Sequence, residues 1–337
     1  MYGPADIAKR YSDAGAAKTK LAVSKAFILA IFAGMFIAFG AFGSQVVGAD
    51  AGVGASLGKF LGALVFPVGL LMVIMAGAEL FTGNSLIIIP VMQGKATVTG
   101  MLKNWVIVYL GNFVGSIFVA AMLTYSHAYS QFSNKLAESA VATAQTKVLL
   151  TAPDAFLRGI LCNILVCIAV WISFSAEDVA GKIIGLYMPI MLFVLSGYEH
   201  SIANMYFIPA GIMISGEYGI AADEALTWSG FLLNNLLPVT LGNIIGGVCV
   251  VGLGYFFVYL HQKAAPKLHA DKKQLQLIDL SSNQDVVRLN PAVSSQEAHD
   301  NASPTIEISV NGATLRVQND VNPALLSQAI HLTKDVS

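Results

Sequence analysis

Two long apolar runs, 60–94 and 183–216, constrain this chain more than any other feature in it. Each is about 35 residues, whereas one helical crossing of a bilayer takes about 20. That is too long for a single span and too short for two spans with a loop. Each run also carries one carboxylate near its middle, Glu79 and Glu199. A continuous helix facing lipid does not hold a carboxylate at that depth without a reason. The economical reading is a broken helix, two helical pieces joined by non-helical backbone inside the membrane. Such backbone persists only where protein or a water-lined cavity satisfies its polar groups.

Four further apolar runs, 26–49, 104–126, 155–176 and 225–260, are ordinary candidate spans, which makes six. Charge placement agrees. Charged residues make up only 12% of the chain, mean hydropathy is +0.67, and the charges crowd into residues 1–25 and 261–337. This excludes an ordinary cytosolic enzyme, a nucleic-acid binder and a disordered chain. Cys162, Cys167 and Cys249 lie in apolar runs and offer neither a disulfide framework nor metal spacing. The polar start is unlike a cleavable signal peptide. Lys9, Arg10, Lys18, Lys20 and Lys25 precede the first span, Lys95 and Lys103 lie between spans 2 and 3, and Lys263 and Lys267 follow the sixth. Six spans with both termini cytoplasmic in a plasma or inner membrane fit that bias. Lys135, Lys147 and Arg158 are basic residues on the other side.

The chain also matches itself. Gly77-x-Glu79-x4-Asn84 in span 2 answers Gly197-x-Glu199-x4-Asn204 in span 5. Asn104-x6-Gly111-Asn112-x2-Gly115 in span 3 answers Asn235-x6-Gly242-Asn243-x2-Gly246 in span 6. Ala26-Phe27 and Ala155-Phe156 are a weaker third pair. A repeat of three spans is odd in number, so its second copy enters from the opposite side. The expected fold class is therefore an all-α membrane protein of six transmembrane helices in two inverted three-span repeats, with spans 2 and 5 broken. Paired broken helices in such repeats point to a site at the membrane midplane.

At the breaks, Asn84 and Asn204 read as N-caps of the second helical pieces. Two helix N-termini would then face the centre from opposite sides, an arrangement that favours a small anion. Glu79 and Glu199 read as structural acceptors that tie down loop N–H groups, or alternatively as proton relays. His200 is the one histidine deep in an apolar run, and its repeat partner is Leu80. Imidazole exchanges protons near neutral pH. Thr82 is placed to hydrogen-bond a passing oxyanion, and Phe81 to narrow its path. Lys25 and Lys147 would attract anions into two vestibules.

At these residues the chain resembles the formate/nitrite transporter family. The stretches that carry the likeness are GAELFTGNS (77–85), GNFVGS (111–116), GILCNILVCIAVW (159–171), SGYEHSIANM (196–205) and NNLLPVTLGNIIGG (234–247), across about residues 20–260. The resemblance implies an aquaporin-like protomer, a homopentamer and one anion pathway per protomer, passing formate, nitrite, acetate, lactate or hydrosulfide, often with a proton. It places the central histidine on His200, the loop threonine on Thr82 and the vestibule lysines on Lys25 and Lys147. It places polar supports on Glu199, Asn163 and Asn204, and apolar constrictions on Leu70, Leu80, Phe81, Val166 and Phe193. Formate is the favoured substrate, with nitrite the alternative: FTGN and TAP (151–153) look nearer the nitrite branch, IPAG (208–211) and LPVT (237–240) nearer the formate branch. In the implied sequence of events a lysine concentrates the anion, the helix ends draw it inward, and it crosses between Leu70 and Phe193 as the acid, with a proton given by or relayed past His200.

Two other classes fit the sequence less well. An aquaporin would need Asn-Pro-Ala at the breaks, but both such triplets, 290–292 and 322–324, lie in the polar tail. A membrane enzyme would need a motif such as H-E-x-x-H or G-x-S-x-G, and none occurs. No cofactor or metal is expected. The domain reading is a cytoplasmic segment 1–25, a six-span anion channel 26–260, a linker 261–304 and a small ββα unit 305–337, its hairpin turning at Asn311-Gly312 and its helix starting near Asn322.

Overall fold

The computed structural model describes residues 1–49, 54–261, 305–310 and 313–318. The chain divides into two units, residues 1–262 and 263–337. The described part of the second unit is a pair of antiparallel strands, β1 (Thr305–Val310) and β2 (Ala313–Gln318), in register from Thr305 opposite Gln318 to Val310 opposite Ala313. The expected turn at Asn311-Gly312, the helix after Asn322, both Asn-Pro-Ala triplets and nearly all of the linker lie outside the described residues.

The regular elements in the described part of the first unit are all helices. In chain order it runs α1 (Pro4–Lys18), α2 (Val23–Ala49), α3 (Ala55–Val65), α4 (Val68–Ala76), α5 (Phe81–Asn84), α6 (Ile88–Met92), α7 (Val98–Tyr125), α8 (Lys135–Val148), α9 (Ala152–Ser173), α10 (Val179–Leu195), α11 (Ser201–Tyr218), α12 (Leu237–Ile245) and α13 (Leu253–Tyr259). A 3₁₀ turn joins α5 to α6, and π-helical turns flank α12, so that Gly230–Tyr259 is one long helix with two wide stretches. Among the described residues five helices are long and apolar enough to cross a membrane: Val23–Ala49, Ala55–Ala76, Val98–Tyr125, Ala152–Ser173 and Gly230–Tyr259. Phe81–Met92 and Val179–Leu195 are shorter apolar helices.

Both long runs are broken, but unevenly. The first divides into Ala55–Ala76, long enough to span alone, and Phe81–Met92. The second divides into α10 of 17 residues and α11 of 18. Helices also extend past the apolar runs. The second run's helix starts at Ala55 and passes through Lys59, and the third starts at Val98 and passes through Lys103. A lysine at a helix end keeps its ammonium in a polar zone while its stem packs, so charge does not end a span.

Two helices sit where no structure was expected. The segment 1–25 contains α1, and the supposed loop before the fourth span contains α8. Both mix apolar and polar residues, so a search for unbroken apolar runs passes over them. On α1, Ile7, Ala8 and Tyr11 are buried; on α8, Leu136, Ala137, Ala140, Val141, Ala144 and Val148 are buried. The α8 helix packs on α11, and α1 on α6 and the end of α13.

The packing is similar in the two halves. The α2 helix lies along α7, and α9 lies along α12. The contacts are backbone against backbone: a side chain at Gly115 would strike the carbonyl of Ile31, and one at Gly246 the carbonyl of Ile160. Small residues permit this approach.

Candidate functional site

Each long run breaks in the same way. Helix α4 ends at Gly77, with φ +78°, and α10 gives way at Gly197, with φ +70°. Glycine holds this left-handed turn at no steric cost. The next amides reach back five residues, Ala78 N–H to Val73 O at 2.8 Å and Tyr198 N–H to Phe193 O at 3.1 Å. Three non-helical residues follow each glycine, the last of them extended, and the chain re-enters a helix at Phe81 or Ser201.

Extended backbone inside an apolar layer needs partners, and the neighbouring helices supply them. Glu79 N–H donates to Leu29 O at 3.2 Å, and Glu199 N–H to Arg158 O at 3.3 Å. One asparagine then braces each break. Asn112 Oδ1 accepts from Phe81 N–H at 3.0 Å, while its Nδ2 donates to Glu79 O (2.9 Å) and Ala30 O (2.8 Å). Asn243 repeats this with Ser201 N–H (2.9 Å), Glu199 O (3.0 Å) and Gly159 O (2.8 Å).

The carboxylates do not take loop N–H groups, as was expected of them. Each is an acceptor of side-chain donors in a buried network. Glu79 accepts from Lys18 Nζ at 2.7 Å and from Asn84 Nδ2 at 2.8 Å; Asn84 Nδ2 also reaches Asn104 Oδ1 at 2.9 Å, and Asn104 Nδ2 donates to Lys18 O at 3.3 Å. In the second half, Glu199 accepts from Lys147 Nζ at 2.8 Å and from Asn204 Nδ2 at 2.6 Å; Asn204 Nδ2 reaches Asn235 Oδ1 at 2.7 Å, and Asn235 Nδ2 donates to Lys147 O at 2.9 Å. A buried carboxylate is tolerable when it is paired and hydrogen-bonded in this way.

Three expectations change here. Asn84 and Asn204 are not N-caps: the helices begin before them, and their amides serve the glutamates. The cap of α11 is His200, whose Nδ1 accepts from Ala203 N–H at 3.1 Å. Lys147 is not a free lysine in an outer loop; it ends α8, is largely buried, and is paired with Glu199. The lysine in the matching place of the first half is Lys18 at the end of α1, not Lys25, which is exposed at the start of α2. One spacing carries this correspondence, since Lys18 precedes Phe27 by the same interval as Lys147 precedes Phe156.

The breaks differ where they face each other. His200 Nε2 lies 2.9 Å from Thr82 Oγ1, a link between residues 118 apart in sequence. Because Nδ1 is occupied as an acceptor, the neutral ring carries its hydrogen on Nε2 and donates it to Thr82. Both residues are buried. Behind Thr82, Asn163 Nδ2 contacts Thr82 O (3.3 Å), Ser85 Oγ (3.2 Å) and Asn243 O (2.6 Å).

A narrow void of about 10 Å³ lies at His200, bounded by Leu70, Leu80, Val166 and Phe193 and by three residues that sequence reasoning missed, Ile37, Phe66 and Ile190. A cavity of about 360 Å³ reaches it from the α1 side and shares Leu70 and Leu80. A cavity of about 170 Å³ reaches it from the α8 side and shares Phe66, Phe193 and His200. Glu79 and Lys18 line the first, Glu199 and Lys147 the second. Phe81, expected to narrow the path, lines none of these three; its ring packs edge-on against Trp105 and Tyr109 of α7, at 5.9 and 4.9 Å between centroids. Among the described residues no group of three or more His, Cys, Asp and Glu side chains has the arrangement of a metal site.

A family profile described as Formate/nitrite transporter matches residues 5–257. A probable formate transporter of Methanothermobacter thermautotrophicus is 40% identical over 277 residues, which cover 77% of this chain and 97% of the relative. The formate channel FocA of Escherichia coli K12 is 39% identical, covering 77% and 95%. Among solved structures, a pentameric formate channel with formate bound superposes with a TM-score of 0.63 at 36% identity, covering 71% of this chain and 98% of that one. An FNT family ion channel gives a TM-score of 0.67 at 28% identity, covering 75% and 98%.

Proposed function

This chain belongs to the formate/nitrite transporter family, and we propose that it passes formate, a small weak-acid anion, through the void at His200. It is an integral membrane protein of a transporter family and not an enzyme. The finer reading counts each broken helix as one crossing, giving six spans in two inverted halves, with both termini cytoplasmic and five protomers in the assembly. The repetition of the break networks supports the two halves. The pentameric formate channel above supports the assembly.

The His200–Thr82 bond carries the functional reading, because it is the polar link in an otherwise apolar constriction. A bare carboxylate at that depth costs several kcal/mol or more, and the neutral acid avoids most of this. The anion enters either cavity, near a lysine–glutamate pair that keeps the wall polar without a large net field. At the constriction it competes with Thr82 for the Nε2–H of His200. Loss of that hydrogen from a neutral ring would leave an imidazolate, and a second hydrogen on Nδ1 would collide with Ala203 N–H. His200 therefore acts as a hydrogen-bond donor that positions the anion, and the proton that neutralises it comes from water in the cavity. Leu70, Leu80, Val166 and Phe193 then admit the acid and reject the ion. Glu79, Glu199, Asn84, Asn204 and Asn163 hold the breaks open.

Formate flux into proteoliposomes at two pH values, with nitrite as competitor, tests this reading. Flux should rise at the lower pH, and formate should outcompete nitrite. Flux independent of pH, or preferred passage of nitrite, would overturn it.

A further inference from the structure

The two cavities are not equal in charge: Arg10 and Lys182 add to the lysine–glutamate pair in the lining of the α1-side one. Each holds a lysine–glutamate pair, Lys18–Glu79 or Lys147–Glu199. Each also has a lysine near its break glycine from the opposite half: Lys182 lines the α1-side cavity with Gly77, and Lys59 Nζ approaches Gly197 at the α8-side mouth. Arg10 has no such counterpart. It lines the α1-side cavity, and the residue at the same offset on α8 is Ser139.

Arg10 is also held in place. Its guanidinium carbon sits 3.5 Å from the centre of the Tyr2 ring. Stacking on a ring uses the face of the guanidinium and leaves its N–H edge free for a planar acceptor. No carboxylate pairs with Arg10 or Lys182 among the described residues. The nearest acids in sequence are otherwise engaged: Asp13 accepts from Lys95 at 2.6 Å, Asp178 caps Gly181 N–H at 2.7 Å, and Glu177 faces the chain's amino group at 3.8 Å. Asp6 does not line the cavity.

We propose that Arg10, held over the Tyr2 ring and sharing the lining of the α1-side cavity with Lys182, is a docking site for a small carboxylate, and that it makes the two entrances unequal in affinity. The match is planar: a guanidinium edge and a carboxylate pair through two hydrogen bonds, which a lysine cannot reproduce. The inference rests on the proposed passage of formate.

A passive path has the same ratio of maximal rate to half-saturation in both directions. A carboxylate held at Arg10 therefore lowers both quantities together for entry from the α1 side. Initial formate flux in right-side-out and everted vesicles measures each face separately. The α1 face should show the lower half-saturation. Arg10→Gln should raise half-saturation on that face about threefold to tenfold, an exposed charge-assisted pair being worth less than a buried one, and leave it unchanged on the other face. Arg10→Lys should recover only part of the loss. An unchanged half-saturation on the α1 face of Arg10→Gln, or an equal shift on both faces, overturns the proposal. A second measurement does not depend on flux: formate should protect Arg10 from an arginine-specific dicarbonyl reagent. Protection without flux would defeat the transport reading and leave the docking site standing. Flux without protection would do the reverse.

Discussion

At the first break the inner helix starts at Phe81 with a leucine ahead of it; at the second it starts at Ser201 with a histidine ahead of it. The preceding backbone is nearly the same, φ −111° and ψ 123° at Leu80 against −109° and 114° at His200. The braces are also the same: an asparagine from the next long helix, a glutamate, a second asparagine pair and a lysine from a short amphipathic helix. The comparison separates two jobs. What both breaks share holds non-helical backbone in an apolar layer. What only one has, the imidazole, and what only the other has, the Thr82 hydroxyl, meet each other between the two breaks.

The shared part is tested by removing one lysine at a time. Lys147→Met should leave Glu199 buried and unpaired, at a cost of about 3–5 kcal/mol. Lys18→Met should cost less, because Lys18 is the more exposed of the two, at 25% against 14%. Thermal unfolding in detergent reads both. Adding Glu199→Gln to Lys147→Met should recover much of the loss, and neither loss should shrink greatly with salt. A salt-sensitive rise in half-saturation with normal stability would instead make Lys147 an attractor of anions and break the equivalence with Lys18.

The unshared part is tested by making the breaks alike. His200→Leu gives the second break the residue of the first. The protein should still fold, at a cost of about 1 kcal/mol for the lost cap of α11. Formate uptake should fall, because the donor that positions the anion is gone, while its rise from neutral to mildly acidic pH persists, because the proton comes from water. Uptake at the parental rate in the variant would remove His200 from the path.

The smallest change comes from the other partner. Thr82→Val keeps shape and removes the acceptor of the His200 Nε2–H. Formate flux or the preference over nitrite should shift by about 0.5–1.5 kcal/mol, the value of one neutral hydrogen bond. An unchanged preference in competition flux would make Thr82 a spacer.

The breaks were legible because glycine, glutamate and asparagine are conspicuous in an apolar run and recur in order. The start of each inner helix was not. Local capping rules assign it to Asn84 and Asn204, but Asn112 and Asn243, from distant helices, bind the first amides and set it earlier. These two were visible as repeat members without a role. The amphipathic α1 and α8 were missed because their charges interrupt any apolar run, and Lys18 was missed with them, although its spacing from Phe27 repeats that of Lys147 from Phe156. His200 and Thr82 were each singled out, but their contact is tertiary, as is the turn of Phe81 towards Trp105 and Tyr109. No local pattern fixes where an aromatic ring points.

Every bond in each lysine–glutamate–asparagine network stays within one half of the chain. Lys18 through Asn112 contain the first network whole, and Lys147 through Asn243 the second. Each network therefore draws only on its own half, beginning with the short amphipathic helix that carries its lysine. The halves are then joined by a separate set of bonds, among them His200 to Thr82, Asn163 to Thr82 O, Tyr109 to Thr240 and Tyr206 to Gln45, and by the packing of α11 on α7. A substitution inside one network should thus loosen one break and leave the other intact, whereas one at a crossing bond touches both halves at once.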